Sequence, residues 1–299
     1  MWLLCAFLTF ISWGIADLFY KIGNKSNDKY NHLKTGLIVG LIMGIHATFY
    51  LLLNSVKIEF IDILKYLPVS LCYIASMVIG YKGLKYLELS IASPIQNTSG
   101  VITALLLLIF FKEKLSVYCY IAFFLIFVGI FILSKIELNN SKTAREEFNK
   151  RNTFGNILKL TIIFPLTYCL IDGMGTFLDA IYLDYGQIIN EDTALIAYEY
   201  TFLVYSFITY IYLNIKGEKL NLFKEKTKIF AALFETLGQF FYVFAMAGSS
   251  VIAAPIVGSY CILSMILSRI FLKEILTKKE YFAIFLVLMG ILILGILDI

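Results

Sequence analysis

The sequence has 299 residues, of which 60% are hydrophobic and 15% are charged, and its formal net charge is +4. In soluble domains about a quarter of the residues are charged, so this composition excludes an ordinary soluble protein and indicates an integral membrane protein. The sequence holds no phosphate loop of the GxxxxGK type followed by Ser or Thr, which argues against ATP-driven pumping by the chain itself.

Apolar segments of about 20 residues, the length that spans a bilayer, recur along the chain with short polar connections between them. We predict ten spans, in chain order: 2–21, 33–53, 66–87, 91–111, 118–134, 157–181, 194–215, 229–247, 251–271 and 280–297. The first span has no basic stretch before its apolar run, so we expect it to stay in the mature chain rather than to be cleaved as a signal peptide. The sequence therefore predicts an all-α integral membrane protein with ten transmembrane helices.

The basic residues are distributed unevenly among the connections. Of the 25 Lys and Arg residues, 21 lie in or beside the connections that follow spans 1, 3, 5, 7 and 9, and 4 lie beside the others. Cytoplasmic connections carry the excess of Lys and Arg, so we predict a multi-pass protein of the cell membrane with both termini outside. Aromatic residues do not alternate with the charges of the basic segment KTAREEFNKR at 142–151, so we interpret it as a topology signal and expect no nucleic-acid partner.

An internal repeat relates the two halves of the sequence. A shift of 161 residues aligns 92–133 with 253–294 without a gap, and 17 of the 42 aligned positions are identical. Pro94 then coincides with Pro255, and each copy has a Lys-Glu pair before its last span. Because the repeat unit has five spans, an odd number, the second copy must enter the membrane from the opposite side.

This repeat predicts two inverted five-helix units, residues 1–135 and 157–299, joined by a basic linker loop at residues 136–156. In inverted repeats the substrate site lies near the middle of the membrane, where the two copies meet. The small-residue spacing of Gly36, Gly40 and Gly44 suits close helix packing or a dimer contact, so the chain is expected to be a monomer or a homodimer.

The chain has ten predicted spans in two halves, with Trp13-Gly14 in the first span, a proline at the entry of spans 4 and 9, and short Lys-Glu loops. In these features it resembles the EamA type of the drug/metabolite transporter superfamily. The resemblance covers essentially the whole chain and implies a membrane transporter rather than an enzyme. Ten-helix members are generally drawn with both termini in the cytoplasm, which the charge distribution contradicts here. The scattered cysteines and histidines fit no metal site or disulfide framework, so we expect no metal, no cofactor and no catalytic residues.

Carboxylates occur inside several predicted spans, although an ionisable side chain at the middle of a span costs at least about 2.5 to 3.5 kcal/mol on insertion scales. Such a residue normally faces the interior of the bundle. Helical spacing places most of these acids on stripes with aromatic or amide side chains. The candidate substrate-binding residues are Trp13, Asp17, Tyr168, Asp172, Asp179, Glu199, Glu235, Gln239 and Tyr242.

Carboxylates beside aromatic rings are typical of a cavity for an organic cation, because the charge and the ring faces both attract it. We therefore predict a secondary transporter that moves a small amine or quaternary ammonium compound by alternating access, with proton or ion coupling left open. The alternatives are a proton-coupled exporter of neutral metabolites or amino acids and, more remotely, an intramembrane aspartyl protease. Asp17 can instead form a local ion pair with Lys21, and Asp179 can instead lie near the outer mouth of its helix.

Overall fold

The computed structural model describes residues 1–24, 28–84, 93, 95–112, 115–149, 155–273 and 277–297. The described residues are helical, with no β-strand among them, as the sequence predicts for an all-α protein. The helices are α1 (Trp2–Gly23), α2 (Asn31–Asn54), α3 (Phe60–Gly83), α4 (Thr98–Phe111), α5 (Val117–Asn149), α6 (Gly155–Ala180), α7 (Glu191–Ile215), α8 (Lys226–Val257), α9 (Cys261–Leu272) and α10 (Lys278–Leu297).

Several helices are long and apolar enough to cross a membrane. They are α1, α2, α3, α7 and the stretch Lys226–Leu272 that contains α8 and α9. Shorter apolar helices occur at Thr98–Phe111 and Val117–Leu133. These helices agree with the multi-pass membrane protein that the composition predicts.

Predicted spans 8 and 9 are joined by a kink rather than by a loop. Within α8, Ser249 has φ −169° and ψ 82°, an extended conformation that breaks the helix. Asp184, in the π-helical turn Ile181–Tyr185 that ends α6, accepts hydrogen bonds from the Ser250 backbone N (2.8 Å) and Oγ (2.7 Å). The carboxylate therefore satisfies the first donor of the new helical segment, as an N-cap residue does.

The predicted linker loop at residues 136–156 needs correction. Helix α5 continues to Asn149 and α6 begins at Gly155, so most of the predicted loop is helical. The segment between Ile136 and Asn149 contains neither proline nor glycine, and its Lys, Ala, Arg and Glu residues favour helix. Its charges led the sequence analysis to place a loop there, but charge alone does not end a helix.

The principal helix contacts pair α1 with α8, α3 with α6, α2 with α7 and α5 with α10. Glycine allows the closest approaches. A Cβ atom on Gly129 of α5 would lie 2.4 Å from Val287 Cγ2, and one on Gly290 of α10 would lie 2.7 Å from Ile126 Cγ1. Neither glycine has room for a side chain, so the backbone of each helix lies directly against a side chain of the other.

The glycine stripe of α2 faces α7 of the same chain. A Cβ on Gly40 would lie 2.2 Å from the Phe202 backbone O, and those on Gly36 and Gly44 would meet Tyr205 and Leu203. The stripe is thus used for packing within the chain. It is not available for the dimer contact that the sequence analysis left open.

Polar contacts show which connections lie on the same side. Lys34 Nζ pairs with Asp28 (2.8 Å) and with Glu218 (2.9 Å), which joins the connection after α1 to that after α7. Partial burial acts to raise the pKa of Asp28, but hydrogen bonds from Lys34 and the Tyr30 backbone N, with the charge of Lys34, outweigh it and lower that pKa. At the other end of α2 and α7, Tyr50 Oη donates to Asp192 over 2.6 Å. The connections therefore alternate between two sides.

Candidate functional site

A cavity with an empty volume of about 850 Å³, part of it open to the outside, lies where α1, α3, α4, α6, α7 and α8 meet. Three carboxylates line it: Asp17, Asp172 and Glu235. Eight aromatic side chains also line it: Trp13, Tyr20, Tyr73, Tyr81, Tyr168, Tyr198, Tyr242 and Tyr260. Within the described residues, no Lys, Arg or His contributes to the wall.

Asp17 lies on α1 and is held by serines from two other parts of the chain. Ser93 Oγ donates to Asp17 Oδ2 over 2.7 Å, and Ser264 Oγ of α9 donates to the same atom over 2.9 Å. The contacts of Asp17 with described residues are those two serine bonds, in place of the alternative ion pair with Lys21. Both serines bond to Oδ2, and no hydrogen bond from a described residue reaches Oδ1.

Asp172 lies on α6 and is held in a similar way. Ser99 Oγ of α4 donates to its Oδ2 over 2.8 Å, and Ser76 Oγ of α3 is 3.4 Å from its Oδ1. Thr103 Oγ1 donates to the Gly173 backbone O over 3.1 Å and joins α4 to α6 at the same level. Hydroxyl donors thus fix the orientation of both aspartates.

Glu235 on α8 is 9% exposed, and Tyr20 Oη donates to its Oε2 over 3.3 Å. Beside it, Trp13 Nε1 donates to the Glu235 backbone O over 3.3 Å, and the Trp13 ring lies 5.1 Å from that of Tyr242. The two helices can approach here because Gly238 has no side chain. A Cβ on Gly238 would lie 2.3 Å from Trp13 Cδ1.

Two amide groups in the wall have unused donors. The Nε2 atoms of Gln96 and Gln239 are buried and have no hydrogen-bond partner in the described chain. Buried polar groups normally have a partner, so an unpaired donor in a cavity wall is a place where a ligand oxygen can bind. The cavity therefore offers both negative charge and neutral donors.

Of the nine candidate residues, Trp13, Asp17, Tyr168, Asp172, Glu235, Gln239 and Tyr242 line this one cavity. Glu199 does not. It is 0% exposed at the contact of α7 with α2, where both of its carboxylate oxygens lie within 2.9 Å of His46 Nδ1. No basic residue lies within one turn of Glu199 on α7, and spacing along one helix gives no sign of a partner on another.

Asp179 is also outside the cavity lining. Its side chain is 0% exposed and accepts a hydrogen bond from Tyr66 Oη of α3. Asp172 and Asp179 share a stripe on α6, but α3 covers the Asp179 end of that stripe. Its side chain is therefore outside the wall of the cavity, and Asp179 is the last residue but one of α6.

Sequence reasoning missed about half of the aromatic wall, including Tyr73, Tyr81, Tyr198 and Tyr260. It also missed the serines that hold the aspartates. Tyr73 and Tyr81 are eight positions apart on α3, a helical spacing that puts both on one face, and this signal was in the sequence. The predicted span that holds Tyr73 and Tyr81 carries no acid in its interior, so no stripe of acid and aromatic side chains indicates them.

Comparisons with known proteins bear on the fold and the family. A model of the EamA-like transporter family matches residues 1–135 and 175–296. A solved structure titled "Crystal structure of protein" is similar, with a TM-score of 0.69 at 12% identity, over 98% of this chain and 96% of that chain. At that identity the likeness concerns the fold alone. No curated protein shows a significant match to the chain.

Proposed function

The chain belongs to the EamA-like transporter family, and from that premise we propose that it is a secondary active transporter of a small organic cation. Amines and quaternary ammonium compounds are the proposed substrate class. The substrate would occupy the cavity between the two halves, and alternating access would carry it across the lipid bilayer. The family is one of transporters, so the aspartyl protease is not proposed further.

The composition of the cavity wall carries this proposal. Three carboxylates and eight aromatic rings line it, and no basic side chain of the described residues balances the acids. A cation over an aromatic face gains about 0.5 to 2 kcal/mol, more when it is desolvated. The same acids would repel an anion, since no described residue of the wall carries a positive charge.

Alternating access would use two inverted five-helix repeats, residues 1–135 and 157–299, and the packing supports this division. When each helix is exchanged for its equivalent in the other half, the α1–α8 contact becomes the α6–α3 contact. The α2–α7 and α5–α10 contacts are unchanged by the exchange. A pseudo-two-fold axis in the membrane plane would have this effect.

Individual residues of α5 and α10 follow the same exchange. Gly129 abuts the Val287 side chain and the Ala283 backbone O, while Gly290 abuts the Ile126 side chain and the Ala122 backbone O. The equivalent residues are Gly129 and Gly290, Ala122 and Ala283, and Ile126 and Val287. The two members of each pair lie 161 positions apart, which is the shift that aligns the sequence repeat. The proposed axis thus passes between these two helices.

A proton-coupled exporter of neutral metabolites or amino acids is the second candidate. The unpaired amide donors of Gln96 and Gln239 favour it, because they suit a carbonyl or carboxylate oxygen better than a cation. In that case the acids would carry protons and would not contact the substrate. The two candidates differ in whether substrate affinity depends on carboxylate charge.

The test is ligand binding by the detergent-purified protein, measured as thermal stabilisation by amines, quaternary ammonium compounds, amino acids and sugars. Glu235→Gln and Asp172→Asn keep the shape of each side chain and remove its charge. For an organic cation each variant should bind about 5 to 150-fold more weakly, a loss of about 1 to 3 kcal/mol.

Asp192→Asn is the matched control, because Asp192 lies at the end of α7 and bonds to Tyr50 outside the cavity. It should bind as the parent does. If both cavity variants bind their ligand normally but lose proton-driven accumulation, the neutral-substrate exporter replaces the cation transporter. Normal binding and normal accumulation in both variants would make the carboxylates structural and end the cation proposal.

A further inference from the structure

Asp179 is a buried carboxylate behind the cavity wall with one oxygen unsatisfied. Tyr66 Oη donates to Oδ1, while Oδ2 has no hydrogen-bond partner. The hydroxyl groups of Tyr73 and Tyr242, both of which line the cavity, lie near the same carboxyl group. A buried carboxylate with an unused acceptor is costly unless something neutralises it.

The hydroxyl groups beside Asp179 also form hydrogen bonds with one another and with Thr176. Thr176 Oγ1 donates to the Asp172 backbone O over 2.9 Å, so its oxygen can accept the Tyr73 hydroxyl at 3.1 Å. Tyr73 has a single proton, and it is used in that bond. In the 2.7 Å contact between Tyr73 and Tyr242 either hydroxyl can donate, and Tyr242 is the donor when Tyr73 donates to Thr176. In that arrangement no hydroxyl proton points to Asp179 Oδ2, which has no hydrogen-bond partner among the described residues.

A proton on Asp179 Oδ2 resolves this arrangement. It removes the buried charge, and it turns the unsatisfied acceptor into a donor for the Tyr242 or Tyr73 oxygen, each of which has spare lone pairs. No Lys, Arg or His of the described residues bonds to Asp179. We propose that Asp179 is the proton-binding residue that couples this transporter to the proton gradient, an inference that rests on the transport function proposed above.

The hydrogen-bond chain connects that proton to the substrate cavity. When Asp179 gives up its proton, Tyr242 can turn its hydroxyl from Tyr73 to the carboxylate. Tyr73 then loses a donor, and both hydroxyls belong to the cavity wall. The Tyr242 ring also lies 5.1 Å from that of Trp13, so the change reaches the aromatic wall that would hold the substrate.

Other titratable groups surround this site and limit the choice of variant. Tyr66 and Tyr73 of α3 and Tyr242 of α8 face the Asp179 carboxyl group. Behind them, the Tyr182 ring packs on the Tyr66 ring, and the Tyr198 ring packs on the Tyr73 ring. Asp172 is the nearest acid on α6 and contacts the cavity directly. Asp179→Asn is the cleanest change because it keeps the volume, cannot ionise and leaves the cavity acids in place.

The first test needs no substrate. Infrared difference spectra between acidic and alkaline samples are recorded for the full-length protein in a detergent without ester groups. The parent should show the carbonyl absorption of a protonated carboxyl group with one component that Asp179→Asn lacks. Asp192→Asn, with its acid at the end of α7, should keep that component. Identical spectra for the parent and Asp179→Asn would overturn the proposal.

The second test uses proteoliposomes and tetraethylammonium as the probe. Asp179→Asn should bind the probe as the parent does and exchange labelled for unlabelled probe, but lose accumulation driven by a pH gradient. Asp192→Asn should keep all three activities. Parent-like accumulation by Asp179→Asn, loss of probe binding in this variant, or accumulation that follows a sodium gradient would each refute proton binding at Asp179.

The two proposals fail in distinguishable ways. If the parent binds neither tetraethylammonium nor any other amine, the cation transporter is wrong, and the infrared measurement still decides the role of Asp179. Variants that elute and unfold as the parent does are the ones compared, so that a folding defect cannot imitate a loss of coupling.

Discussion

Asp17 and Asp172 have corresponding environments in the two halves of the chain. Each lies on the first helix of its half, and each accepts a serine hydroxyl from the other half: Ser264 for Asp17 and Ser99 for Asp172. A serine donor stabilises the ionised carboxylate without adding a positive charge. The acids can therefore stay in place while a cationic ligand supplies the missing charge.

Gln239 provides a prediction at the residue scale. Gln239→Met has a similar size but removes the amide N–H donors, so a ligand oxygen loses one hydrogen bond. Choline, which carries a hydroxyl group, should bind about 2 to 12-fold more weakly, as expected for about 0.5 to 1.5 kcal/mol. The measurement is the affinity of parent and variant from ligand-dependent thermal stabilisation.

Tetraethylammonium is the control ligand for this variant, because it has no oxygen and should bind to parent and Gln239→Met alike. An equal loss of affinity for both compounds would show that the amide shapes the cavity and does not bind a substrate oxygen. An unchanged affinity for choline would place the choline hydroxyl elsewhere in the wall.

At the scale of elements, the contact between α1 and α8 positions the aromatic wall. Trp13 Nε1 bonds to the Glu235 backbone, and Gly238, less than one turn further along α8, leaves the space that the indole ring occupies. Alanine is a better helix former than glycine by about 1 kcal/mol, so helix propensity does not explain a glycine here. The space required by Trp13 does.

Gly238→Ala is predicted to displace Trp13, since the added Cβ would lie 2.3 Å from Cδ1 and 2.5 Å from Nε1. Overpacking of this kind typically costs about 1 to 3 kcal/mol of stability. The variant should unfold at a lower temperature, and its tryptophan fluorescence and cation affinity should both change.

Gly173→Ala is the matched control on α6, also beside the cavity. There an added Cβ would come no closer than 3.6 Å to Ser99, an ordinary contact. This variant should be as stable as the parent or slightly more so. If Gly238→Ala is equally well tolerated, α8 can shift without loss, and Trp13 is not held as described.

At the scale of the whole molecule, orientation in the membrane is the open prediction. The ion pairs of Lys34 place the connections after α1 and α7 on one side, and the Tyr50–Asp192 contact places those after α2 and α6 on the other. This alternation agrees with the distribution of Lys and Arg, which predicts that the first of these sides is cytoplasmic.

A tag after Ile299, which lies outside the described residues, should be labelled by membrane-impermeant reagents on intact cells. A tag inserted at Gly217, in the connection after α7, should not be. The segment from Lys142 to Arg151 should be protected in the same way. The reverse pattern at both tags would place the termini in the cytoplasm and restore the orientation usually drawn for the superfamily.

The sequence by itself determined the membrane environment, the helical class, the repeated segment and all three acids that line the cavity. These features are readable because hydropathy, charge and helical spacing are local properties of the chain. Asp17, Asp172 and Glu235 stood out for this reason, since each is an acid on an apolar helix beside a ring or an amide.

Only the tertiary structure decided which of the acids share a site. Spacing fixes the face of a helix on which a residue lies, but it does not say which neighbouring helix covers that face. Glu199 meets His46 of α2, Asp179 lies behind the wall under Tyr66, and the serines that hold the aspartates come from distant parts of the chain. Those partners are set by how the helices pack, which no single span records.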